Sequence, residues 1–157
     1  MSGISPWQRP DVQTHSQRLI SSFRHWTGQR LMDASLDLEA LAYGLFHAPW
    51  VLVSHDTQPD PCFNYGNQAA LDLWETTWDQ WIGLPSRLSA ANEYQPERAQ
   101  LLQQVKTQGW AQGYRGVRIS RKGRRFQFQN AIVWNVLDDQ GQYYGQAAMF
   151  REWTWLD

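Results

Sequence analysis

The chain has 157 residues, a formal net charge of -1, an apolar share of 42%, and ten Trp, six Tyr and six Phe against three Met. That length suits one domain, burying roughly 70% of its unfolded surface in a single core, and large rigid rings should build that core. The single cysteine, Cys62, excludes an internal disulfide and a cysteine-rich zinc site; with no 18-residue apolar run and no apolar leader, a cytoplasmic protein without membrane contact is expected.

Residues 1–12, with Pro6 and Pro10 and little periodicity, read as a loose arm, and 13–157 as one domain. From His15, Leu19, Ile20, Phe23 and Trp26 fall on one helical stripe that stops near Gly28. A second stripe, Leu38, Leu41, Ala42, Leu45 and Phe46, follows a cap expected at Ser35 and ends before Pro49. WVLVSHD (50–56) and the run from Cys62 to Tyr65 read as strands. At Asn67 the rhythm turns helical, with Ala70, Leu71 and Trp74 at helical spacing, and a second short helix spans Thr77 to Ile82. A longer helix starts at Pro96, carries Leu101, Leu102 and Val105, and stops at Gly109.

The last third reads as three strands, YRGVRIS, RRFQFQNAIVWNVL and YYGQAAMFREW, joined by hairpins at Lys122-Gly123 and at 138–141. In the middle strand, strict alternation puts Phe126, Phe128, Ile132, Trp134 and Val136 on one face and Ala131, Val133 and Leu137 on the other. Apolar residues on both faces call for cover on both, and the two N-terminal stripes are the candidates for the outer one. The class is α+β, with one five-stranded antiparallel sheet.

The order strand-strand, helices, three strands resembles the PAS fold. The strings HSQRLISSFRHWTG, FNYGNQAALDLWETT, SRKGRR, NAIVWNVLDD and FREW go further and resemble the MEKHLA domain, a PAS-related family, over roughly His15 to Trp155. That family is known at the C-terminus of plant class III homeodomain leucine-zipper factors and as stand-alone chains in photosynthetic bacteria. Neither a homeodomain nor a zipper heptad is present here, so the resemblance points to the stand-alone form. It implies a sensory or regulatory module, with helices on the inner face of the sheet, and not DNA binding.

Asn67 is expected to cap a helix rather than to grip a ligand. His15, His25, His47 and His55 lack metal-ligand spacing. By the resemblance to PAS proteins, a haem ligand would come from the long helix, which has no His, Cys or Met, and a flavin-reactive thiol from the helical segment, where Cys62 does not lie. No cofactor is therefore expected. Ser54, His55 and Asp56 are adjacent, but neighbours in a strand point to opposite faces, so no catalytic residue is assigned and an enzyme is not expected.

An inner-face pocket is the remaining site. Asn130 interrupts the Phe128 and Ile132 face, and Gln146 sits among small residues. These amides either bond to backbone and each other or orient a small organic ligand against Phe128 and Trp134. A ligand carrier or small enzyme using that pocket is the alternative to a sensor.

Charge is divided along the chain: ten acids and one base from Asp33 to Glu97, then eight bases and no acid from Arg98 to Leu137. The hairpin residues Arg121, Lys122 and Arg124 are candidates for contact with an acidic protein partner or with a second copy in a homodimer. Nucleic-acid binding by this segment is not expected, since most of its charge lies at a hairpin tip.

Overall fold

Helix α1 (Pro10–Thr27) opens on a proline, whose missing N–H costs nothing in a first turn; in the computed structural model, which describes residues 4–32 and 37–157, it ends on Gly28 at φ 73°. Its buried face carries Val12, His15, Leu19 and Phe23. Within the stretch expected as a loose arm, Pro6–Gln8 form a 3-10 turn, with Trp7 set edge-on to Tyr43 at 4.9 Å, and α1 begins at Pro10. Helix α2 (Leu38–Phe46) is capped by Asp37, whose carboxylate accepts from the Ala40 N–H at 2.8 Å. The cap expected at Ser35 lies outside the described residues.

The sheet contains β1 (Val51–His55), β2 (Phe63–Gly66), β3 (Trp110–Ile119), β4 (Arg125–Leu137), β5 (Tyr143–Phe150) and β6 (Glu152–Trp155), in the antiparallel order β2-β1-β5-β4-β3. Six strands replace the expected five because the last predicted strand breaks at Arg151. Both pieces run along the same side of β4, with Ile132 opposite Met149 and Gln129 opposite Glu152. Opposite the break stands Asn130, at φ 55°.

That left-handed residue is a bulge, and it overturns the alternation read from the sequence. Phe128 and Val133, five apart, share the inner face. Trp134 turns to the outer face, where Phe23 of α1 meets it edge-on at 4.9 Å.

Helix α1 seals this outer face. Trp26 donates its indole N–H to the Asn135 carbonyl at 2.8 Å, and Ser22 accepts from the Leu137 N–H at 2.7 Å. Helix α2, expected to cover the sheet as well, packs chiefly against α1. The inner face is covered by α3 (Gln68–Leu73), α4 (Trp78–Trp81) and α5 (Gln95–Gln108). Trp74, the C-cap of α3, lies edge-on to Phe126 at 5.0 Å, and Trp81 stacks on Phe63 at 3.8 Å. Gly109 ends α5 at φ 102°, and a Cβ there would stand 2.3 Å from the Trp26 ring, so only glycine fits.

Asn67 holds the first half together. Its side-chain oxygen caps α3 through the Ala70 N–H and accepts from the Leu52 N–H, both at 3.1 Å. Its amide donates to the carbonyls of Trp50 at 2.8 Å and Leu45 at 3.2 Å. All four hydrogen-bonding positions of a fully buried amide are used within the protein, as the cap reading requires.

Candidate inner-face cavity

Between α5 and the inner face lies a cavity of about 60 Å³. Phe63, Phe128 and Phe150 from the strands and Leu101 and Leu102 from α5 supply apolar walls. Counting about 15 Å³ per water position, it holds about four waters, the space of a small organic molecule. Sites for drug-sized ligands start at roughly 300 Å³.

Three groups give this apolar space its polarity. Arg98 lies on the same stripe of α5 as Leu101, Leu102 and Val105, three, four and seven residues on. Helix geometry therefore carries it inward, and it is 8% exposed. Its guanidinium donates to the Ser86 hydroxyl at 2.7 Å. Burial, then the neighbouring charge of Arg118, lowers its pKa to about 10, so it remains a cation at neutral pH.

Arg118, also 8% exposed, enters from β3. It donates to the Val117 carbonyl at 2.9 Å and the Tyr114 hydroxyl at 3.3 Å, and lies over the Phe128 ring at 5.0 Å. Gly116 makes room for it: a Cβ there would sit 3.0 Å from the Arg118 guanidinium and 3.1 Å from Phe128.

His55 is the third group. Its Nδ1 is 3.0 Å from the Asp56 carbonyl, which can only accept, so Nδ1 carries the proton and Nε2 presents a lone pair. Nε2 is buried without a hydrogen-bond partner. Burial is the main cause holding the imidazole neutral, and the Arg98 charge reinforces it. The Asp56 carbonyl opposes both; so does Gln146, near enough to raise proton affinity without a geometry that satisfies Nε2.

Of the residues singled out in the sequence, Phe128 and Gln146 line this cavity. Gln146 spends both amide hydrogens on the protein, donating to the Leu102 carbonyl at 2.8 Å and to Asn135 at 3.2 Å. Trp134 faces α1 and is fully buried there. Asn130 is exposed at the bulge and donates to Glu152 at 2.8 Å. The bulge removes both from the cavity. Arg98, Arg118 and His55 were not selected from the sequence, although the stripe from Arg98 to Val105 carries the signal for the first of them.

The basic hairpin is likewise divided. Arg121 and Lys122 are exposed at the turn. Arg124 pairs with Glu75 at 3.4 Å and stacks on Trp155 at 3.8 Å, Arg125 pairs with Asp157, and Arg118 is buried.

On the outer face a buried Ser–His pair occurs: His15 Nε2 lies 2.8 Å from Ser54 Oγ. The Ser54 hydroxyl donates to Asn64, so the imidazole must donate to the serine, the reverse of a base that activates it. His55 faces the opposite side. Among the described residues no group of three or more His, Cys, Asp or Glu could hold a metal ion, and no helix is long and apolar enough to cross a membrane.

The MEKHLA domain family matches residues 13–155. Among similar proteins, the chain is 24% identical over 153 residues to the homeobox-leucine zipper protein ATHB-15 and 27% identical over 170 residues to ATHB-14, both of Arabidopsis thaliana. These alignments cover 97% and 99% of this chain and 18% and 19% of the relatives. The chain thus spans under a fifth of their length. Among solved structures, a PAS domain from Colwellia psychrerythraea superposes with a TM-score of 0.61 at 17% identity, over 73% of this chain and 95% of the other. The dark structure of the light-oxygen-voltage domain of the blue-light photoreceptor Aureochrome1 gives 0.56 at 20%, over 78% and 86%. These likenesses establish a PAS-like fold.

Proposed function

The chain belongs to the MEKHLA domain family, and from that premise we propose a regulatory module that binds a small molecule in its inner-face cavity and passes occupancy to a protein partner, without catalysis. The observation that carries the reading is the convergence of Arg98, Arg118 and His55 on a small, otherwise apolar space between α5 and the sheet. Binding sites share this composition, with apolar walls and a few polar groups that fix orientation. Non-catalytic action is supported by the reversed proton direction in the buried Ser54 and His15 pair.

For the partner, Arg121 and Lys122 offer exposed charge at one hairpin tip, with Arg124 beside them held by Glu75 and Trp155. The complementary surface is acidic, either on a second copy, giving a homodimer, or on a separate protein.

Mass spectrometry of small molecules released by denaturing the purified protein tests the binding reading. Compared with an Ala148→Phe variant, whose added ring fills the cavity, the wild type should release at least one molecule in stoichiometric amount that the variant lacks. Identical extracts from two folded proteins would contradict it.

A further inference from the structure

We propose that the cavity recognises a small organic carboxylate through Arg98 and Arg118, with His55 Nε2 accepting from a hydroxyl or amine on the same molecule. The inference deepens the binding reading above and rests on it.

Two guanidinium groups, each about nine-tenths buried, line one cavity and lie close enough for the charge of Arg118 to depress the pKa of Arg98. Taking one such ion out of water costs several kcal/mol, and buried charges are as a rule paired. Here the described ion pairs are Arg18–Asp139, Arg87–Asp60, Arg124–Glu75 and Arg125–Asp157, so neither cavity arginine has a carboxylate partner among the described residues. Asp60 favours the Arg98 charge from a distance, but its ion pair is with Arg87.

A guanidinium carries five N–H donors. Arg98 directs one hydrogen bond to protein and Arg118 two, so donors remain on both. An anion between them would offset the mutual repulsion and use those donors. Planar, bidentate recognition favours a carboxylate. Phe128, Phe150 and Leu101 would meet a short carbon body, which a bare inorganic oxyanion lacks. The neutral tautomer of His55 adds a lone-pair acceptor beside the two arginines. The space of about four waters sets the scale of the ligand at that of a short hydroxy acid.

The test is an NMR titration of the wild-type chain that follows the side-chain Nε–Hε signals of Arg98 and Arg118, with L-lactate, its neutral amide lactamide of the same size, and inorganic phosphate as probes. L-lactate should shift both signals saturably and the other two should not. Arg118→Gln should weaken lactate binding about tenfold or more, whereas Arg30→Gln, at an exposed site, should not change it. Saturation by phosphate but not lactate would overturn the carboxylate assignment, and equal binding of lactamide would overturn recognition by charge. No shift with any probe would overturn the inference, while a neutral molecule released by the wild type and absent from Ala148→Phe would leave the binding reading standing.

Discussion

Asn67 shows how much one side chain can organise. Replacing it with alanine removes a helix cap, worth about 1 kcal/mol, and strands the Leu52 N–H and the Trp50 carbonyl in the core. Each buried orphan costs about 1–3 kcal/mol. Asn67→Ala should therefore lose about 3 kcal/mol or more in urea unfolding, and a loss below about 1 kcal/mol would show the clasp to be dispensable. His15 gives a second residue-scale prediction. Burial, then the charge of Arg18, lowers its pKa to about 4, with Asp11 opposing. Between pH ~6.5 and ~4 the unfolded chain holds a proton that the folded one refuses, so stability falls as pH drops through that window, by up to roughly 3 kcal/mol. Unfolding midpoints across it should flatten in part for His15→Gln, with His55 supplying the rest. The cap at Asn67 was legible because strand and helix rhythms meet there. The reversal at Asn130 was not, because one residue at positive φ leaves the apolar pattern of β4 intact while exchanging its faces.

At the scale of elements, α1 was legible from its stripe and its terminal glycine, and the α5 stripe was read with Arg98 left off it. Charge argued for solvent; position three residues before Leu101 argued for the interior, and packing follows position. Deleting residues 1–27 removes Phe23 and Trp26 from Trp134 and Asn135 and opens a wide apolar surface. The truncated chain should aggregate or self-associate in sedimentation, and a stable monomer would show that α1 is merely appended. The hairpin divides in the same way. Arg121→Glu with Lys122→Glu changes exposed charge only, so the melting temperature should hold while salt-sensitive partner capture or self-association weakens. Arg124→Glu should lower the melting temperature, because it repels Glu75 and abandons Trp155. Equal thermal effects would mean that these contacts carry no stability.

At the scale of the molecule, sequence order was enough for the sheet and its two covered faces, since hairpin-linked strands have few alternative topologies. The cavity was not legible: it depends on a bulge that turns Val133 inward and Trp134 outward, and on a glycine that lets an arginine lie across β3. The central claim is that this inner-face space is where the domain binds. Amide hydrogen exchange with and without saturating L-lactate tests it most directly. Slower exchange is predicted in α5 around Arg98 to Val105, in β3 from Tyr114 to Arg118 and in β5 near Gln146, with α1 and the Arg121 hairpin unchanged. Protection confined to α1 or the hairpin would contradict it.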